Sequence, residues 1–303
     1  MIDLSVHIAG LRLANPVLTA SGTFGYGEEF QNFFDLNMLG GLITKTITLE
    51  RRPGNPSPRI AETSAGMLNS IGLPNLGVEG FIREKWPFLK KLTTPVIVNV
   101  AGKTGEDFVA VVERLESVAG IAAYELNFSC PNVKEGGLSF SADAETALRV
   151  TRSVRRVTKR PLIVKLTPNV TSIAAIGLAV QEGGADAVSA INTLVGMAVD
   201  IHTRKPRLAT ITGGLSGPAI KPVALAKVFE LVQVVQIPVI AIGGILTAED
   251  ALEFLIVGAA AVQVGTASFI RPDAAWRVIQ GLEQHGQKYG IERLDQLVGT
   301  LRR

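Results

Sequence analysis

Eight short runs of apolar, largely β-branched residues recur along this chain, with helix-patterned segments between them. The runs are Val17-Thr19, Leu42-Thr46, Val96-Val100, Tyr124-Phe128, Leu162-Leu166, Ala187-Ile191, Val239-Ile242 and Ala261-Val264. Strands that are apolar on both sides of the pleat belong to parallel sheets covered by helices on both faces. Eight βα units in series predict a (β/α)₈ TIM barrel, and an open doubly wound α/β sheet is the alternative. A barrel of roughly 250 residues plus insertions accounts for the 303 residues present, so 1–303 is read as one domain.

The segments between the runs carry helix signals. Glu106 to Val118 places apolar residues on one face and acids in its first turn, where they suit the helix dipole. Ser172 to Glu182 follows Thr171, a candidate cap, and ends at Gly183-Gly184; Ala248 to Ile256 follows Thr247 and ends at Gly258. Two connections are longer than a helix requires. One follows the second strand and includes the Pro-rich stretch 52–58; the other runs from Asn192 to about Ala219. Insertions after strand C-terminal ends build the active-site rim in barrels. The first sixteen residues are expected to form a hairpin that plugs the barrel bottom. No internal repeat, low-complexity segment or domain linker is visible.

Composition narrows the function classes. With 47% apolar and 19% charged residues, the chain reads as an ordinary soluble globular protein. Its net charge is only +3, and pairs such as Arg51-Arg52 and Arg155-Arg156 read as solvated faces rather than a nucleic-acid patch. A single cysteine excludes an intrachain disulfide and a four-thiolate metal or iron–sulfur site in this sequence. Met1-Ile2-Asp3-Leu4-Ser5 shows no basic region leading into an apolar one, and no apolar stretch approaches the roughly 18 residues that span a bilayer. A cytoplasmic location is expected.

In a barrel the working residues stand at the strand C-terminal ends. Here those ends are Ala20-Ser21-Gly22, Lys45-Thr46, Asn99, Asn127 with Cys130, Lys165, Asn192-Thr193, Gly243-Gly244 and Gly265-Thr266. The set holds amides, hydroxyls, glycines and two lysines, but no acid. That argues against a glycosidase, which needs two carboxylates, and against a catalytic metal, since the three histidines lie elsewhere. A donor-rich, positive mouth expects an anionic or electron-rich ligand. Gly243-Gly244 and Gly265-Thr266 end the last two strands, the usual phosphate location in this fold. No GxGxxG or Walker A sequence is present.

Lys45 and Lys165 each sit among apolar residues, where an unpaired ammonium is costly. Each could serve electrostatically or as a Schiff base. Cys130 lies in Asn127-Phe128-Ser129-Cys130-Pro131-Asn132, ahead of the Gly-rich run 133–137. A free cysteine is commonly a small buried hydrophobe, but among these polar neighbours a thiol of lowered pKa suits a proton acceptor.

Together these motifs resemble the class 1 dihydroorotate dehydrogenases, most closely the class 1B catalytic subunits. The likeness runs the length of the chain through Ala20-Ser21-Gly22-Thr23-Phe24-Gly25, Lys45-Thr46, Asn69-Ser70-Ile71-Gly72-Leu73, 127–132, Lys165, Asn192-Thr193, Gly243-Gly244 and Gly265-Thr266. It implies a barrel that holds FMN and oxidises (S)-dihydroorotate to orotate in pyrimidine synthesis. Cys130 would be the base at C5 while hydride leaves C6 for flavin N5. Lys45, Asn69, Ser70, Ile71, Gly72, Leu73, Asn127, Asn132, Asn192 and Thr193 would bind the substrate. Ser21, Lys45, Thr46, Asn99, Asn127, Lys165, Ile191, Gly217, Gly243, Gly244, Gly265 and Thr266 would line FMN.

The class 2 enzymes resemble the chain less, since they use serine where this sequence has Cys130. The 133–137 run is more similar to class 1B, which reaches NAD⁺ through a partner subunit carrying FAD and a [2Fe-2S] cluster. Class 1A, which uses fumarate, shares the cysteine. A homodimer, within a heterotetramer with the partner, is what the resemblance suggests. Outside the resemblance, the residues leave open a phosphate-binding lyase with a Schiff-base lysine, or a non-catalytic scaffold.

Overall fold

The structure, a computed structural model, describes residues 2–128 and 143–302, with the backbone of 134–135 and 138–139 as a short antiparallel pair. Eight parallel strands form the central sheet: β1 (Val17–Thr19), β2 (Leu42–Ile43), β3 (Val96–Val100), β4 (Ala123–Asn127), β5 (Leu162–Leu166), β6 (Ala187–Ala190), β7 (Val239–Ile242) and β8 (Ala261–Val264). Each pairs with its neighbours in chain order, and β8 pairs back to β1. A parallel bridge from Leu18 to Gly41, with Thr19 N–H donating to Gly41 O at 3.2 Å, closes the ring between β1 and β2. The barrel is therefore closed, and the open-sheet alternative is set aside.

Strand positions follow the sequence reading closely, with one informative difference. The second strand stops at Ile43 instead of continuing to Thr46, because Lys45 N–H turns away to donate to Gly25 O at 2.8 Å. Helix ends likewise follow their caps. Thr104 and Asp107 form a capping box for Gly105–Glu116, as Thr247 and Asp250 do for Ala248–Ile256. The cap of Ile173–Glu182 is Ser172, not Thr171, since the Ser172 hydroxyl accepts from Ala175 N–H at 3.2 Å. Gly184 and Gly258 take positive φ after their helices, at 95° and 115°, as left-handed stops require.

The barrel interior is layered. Its lower layer is wholly apolar: Leu18, Ile43, Ile97, Ala123, Ile163, Ala187, Ile240 and Ala261 come one from each strand. Ile8 and Leu13 close it from below, on the antiparallel hairpin Val6–Ile8 and Leu11–Leu13. At the other end the two long insertions meet. Ile60–Thr63 and Gly66–Asn69 from the first join Thr212–Ser216 and Leu194–Met197 from the second in one four-stranded antiparallel sheet. Among the described residues, no helix is long and apolar enough to cross a membrane.

Candidate active site

Side chains on one face of a strand recur every second residue. Two positions above the apolar layer, the interior becomes polar: Asn99 follows Ile97, Glu125 follows Ala123, Lys165 follows Ile163, Ser189 follows Ala187 and Gln263 follows Ala261. All five are buried. Glu125 is fully enclosed and accepts three hydrogen bonds. Asn99 Nδ2 donates to its Oε1 at 2.6 Å; Ser189 Oγ and Gln263 Nε2 donate to its Oε2 at 2.8 and 2.7 Å. Among the described residues the strand ends themselves carry no acid, but Glu125 lies one layer below them and Glu29 stands near Lys45 at the rim. Glu125 lies inside the apolar run Ile121 to Leu126, and its one signal in the sequence is an acid between apolar neighbours on a barrel strand.

Lys165 stands at the level of Asn127, its register partner on β4. Its Nζ donates to Ser21 Oγ at 3.2 Å, across the barrel from β5 to the end of β1. Burial pulls the ammonium below its ordinary pKa of 10.5, and the Glu125 carboxylate opposes that pull. Lys45 is half-buried; burial also lowers its pKa, Glu29 works against the shift and Arg59 with it. Two amide oxygens of the polar layer, Asn99 Oδ1 and Gln263 Oε1, have no partner among the described residues.

Around this floor the structure brings most of the expected site residues together. Thr46, Asn127 and Ile191 are buried at strand ends, and Ile191 N–H donates to Ile242 O at 2.8 Å. Asn192 Oδ1 accepts from Thr193 N–H at 2.8 Å, and Thr193 O accepts from Asn169 Nδ2 at 2.9 Å. The segment Asn69 to Leu73 leaves the four-stranded sheet and is pinned by Asn55, whose N–H and Nδ2 donate to Ile71 O and Ser70 O, both at 3.0 Å. Gly72 and Leu73 both take positive φ, at 78° and 54°, so this is a tightly wound loop. Ser70 Oγ is buried without a partner among the described residues.

Glycines line the other side. Gly243 and Gly244 have φ of 132° and 73°, and a Cβ on Gly244 would sit 2.6 Å from Lys221 Cβ and 2.9 Å from its backbone N. Gly217, at φ 96°, packs so closely on Gly66 that a Cβ would lie 2.8 Å from the Gly66 Cα. Gly265 lies beside Ala20, and Thr266 Oγ1 donates to Ser216 Oγ at 2.8 Å, tying the end of β8 to the inserted sheet. Cys130 and Asn132 lie outside the described residues. Among the described residues no group of three or more His, Cys, Asp or Glu side chains is placed to hold a metal.

Comparison with known proteins agrees with this geometry. The family model described as dihydroorotate dehydrogenase matches residues 3–285. A protein of Pelobacter propionicus named dihydroorotate dehydrogenase B (NAD(+)), catalytic subunit, is 55% identical, covering 99% of this chain and 98% of its own. Proteins of the same name from Geotalea uraniireducens and Alkaliphilus oremlandii are each 53% identical over 99% of this chain and 98% and 99% of theirs. A crystal structure of the dihydroorotate dehydrogenase of Eimeria tenella in complex with ferulenol superposes with a TM-score of 0.80 at 24% identity, over 98% of this chain and 88% of that one. That likeness speaks to the fold. The family model spans nearly all of the closed barrel and the relatives match end to end: this chain belongs to the dihydroorotate dehydrogenase family.

Proposed function

We propose that this chain oxidises (S)-dihydroorotate to orotate with FMN at the barrel mouth, as the cytoplasmic catalytic subunit of an NAD⁺-linked enzyme. The buried Lys165 carries the reading. Among the described residues this buried cation donates to a neutral hydroxyl, and Asn99 Oδ1 in the same polar layer has no partner; both fit an electron-rich, hydrogen-bonding ring above them. The positive-φ turn at Gly243-Gly244 leaves backbone exposed without a Cβ, which suits a phosphate.

Ser21, Lys45, Thr46, Asn99, Asn127, Lys165, Ile191 and Gly217 would hold the flavin ring and ribityl chain, and Gly243, Gly244, Gly265 and Thr266 its phosphate. When bound, FMN supplies the acceptor for hydride leaving C6 of dihydroorotate. The chain's own groups do the rest. Cys130 takes the C5 proton. Lys45, Asn69 to Leu73, Asn127, Asn132, Asn192 and Thr193 orient the pyrimidine and its carboxylate. The relatives' names support the onward route to NAD⁺ and the need for a second subunit. With one cysteine, this sequence cannot ligate a four-thiolate cluster, so FAD and [2Fe-2S] would sit on that partner, around a homodimer of this chain.

A lysine of lowered basicity would also suit a Schiff base. The family and the names of the relatives favour the dehydrogenase. The test is orotate formation by the purified chain with two acceptors. Turnover is expected with an artificial dye and not with NAD⁺ alone. NAD⁺ reduction by the chain alone would contradict the partner-dependent route, and no orotate with either acceptor would contradict the activity.

A further inference from the structure

Glu125 and Lys165 are two opposite charges enclosed in the same barrel, and among the described residues neither is neutralised by its own hydrogen bonds. The carboxylate is held by Asn99, Ser189 and Gln263, all uncharged, from β3, β6 and β8. The ammonium has a neutral hydroxyl on Ser21. An isolated charge in such surroundings is strongly disfavoured, so each needs the other. Register puts them within reach: Lys165 is paired with Asn127, two residues above Glu125 on the same face of β4, a diagonal cross-strand relation.

Among the described residues, Glu125 is the one charged side chain found to act on Lys165, whereas Lys45 at the rim answers to Glu29 and Arg59. The two lysines of the mouth thus have separate acids, one at the rim and one beneath.

We propose that Glu125 is a positioning residue, the fixed counter-charge that holds the Lys165 ammonium beneath the barrel mouth. Three hydrogen bonds lock the carboxylate, so it cannot follow the lysine upward, and the ammonium is left aimed at whatever occupies the mouth. Asn99 is oriented by the same anchor. Its Nδ2 is committed to Glu125, which leaves its unpartnered Oδ1 to accept from a ligand. Resting on the flavin reading above, the consequence is that Glu125 keeps a positive charge beside the ring without touching it.

The experiment is a double-mutant cycle on the purified chain with Glu125→Gln, Lys165→Met and the pair together. Each single substitution strands a buried charge and is expected to lower the melting temperature by roughly 5–10 °C, with the double variant recovering most of that loss. Losses that merely add would overturn the proposal, as would a double variant no more stable than Glu125→Gln, including the case in which neither folds. The second readout is the midpoint potential of the bound flavin against pH. Its break from Lys165 should fall by about one pH unit or more in Glu125→Gln and stay near the original value in Glu125→Asp. An unmoved break in Glu125→Gln would overturn the positioning role. A chain that binds no flavin would sink the functional reading, while the stability cycle would still decide the pairing.

Discussion

Lys165 shows how one buried side chain ties stability to function. Burial lowers its pKa from 10.5, so between the lowered value and 10.5 the unfolded chain binds a proton that the folded chain has released. Stability therefore rises with pH across that window. Tyr26 acts with the opposite sign above 10.0, because burial, with Glu29 and Glu28, pushes its hydroxyl up to about 12. Below pH 10.0 the combined Glu125→Gln, Lys165→Met variant should show a shallower rise than the unaltered chain, with Lys45 contributing to what remains. Urea midpoints from neutral pH upward measure it; an unchanged slope would mean that Lys165 titrates alike folded and unfolded. The lysines, amides and glycines of the mouth were legible because strand ends can be read from the apolar runs. Glu125, Ser189 and Gln263 were not, because period-2 layering inside a barrel shows only once the lower layer is identified.

At the scale of elements, the barrel strands and their helices were visible in the sequence because both faces of each strand are covered and the helix caps are conventional. The inserted sheet was not. Its strands come from two segments far apart in the chain, and Gly66, Gly196, Gly213 and Gly214 give them little strand character. Those glycines are there for close approach: a Cβ on Gly66 would lie 2.1 Å from the Ser216 carbonyl oxygen. Gly66→Ala should therefore push the two insertions apart and displace the 69–73 loop that follows the strand. The expected result is a KM for dihydroorotate raised roughly tenfold, about 1.4 kcal/mol of binding free energy. Steady-state kinetics with a dye acceptor would show it, and an unchanged KM would remove this sheet from substrate binding.

The whole molecule is graded along the barrel axis. An apolar plug and lower layer give way to a polar floor that encloses Glu125 and Lys165, and that floor opens into a rim of amides, hydroxyls and glycines. Such a gradient suits a site that must exclude water below and receive an electron-rich, phosphate-bearing group above. The most direct measurement is the visible spectrum of the purified chain, before and after anaerobic addition of dihydroorotate. A flavin band that bleaches on addition is expected. A band that persists would keep the flavin and rule out this substrate, and no band even after reconstitution with FMN would contradict a flavin site at this barrel mouth.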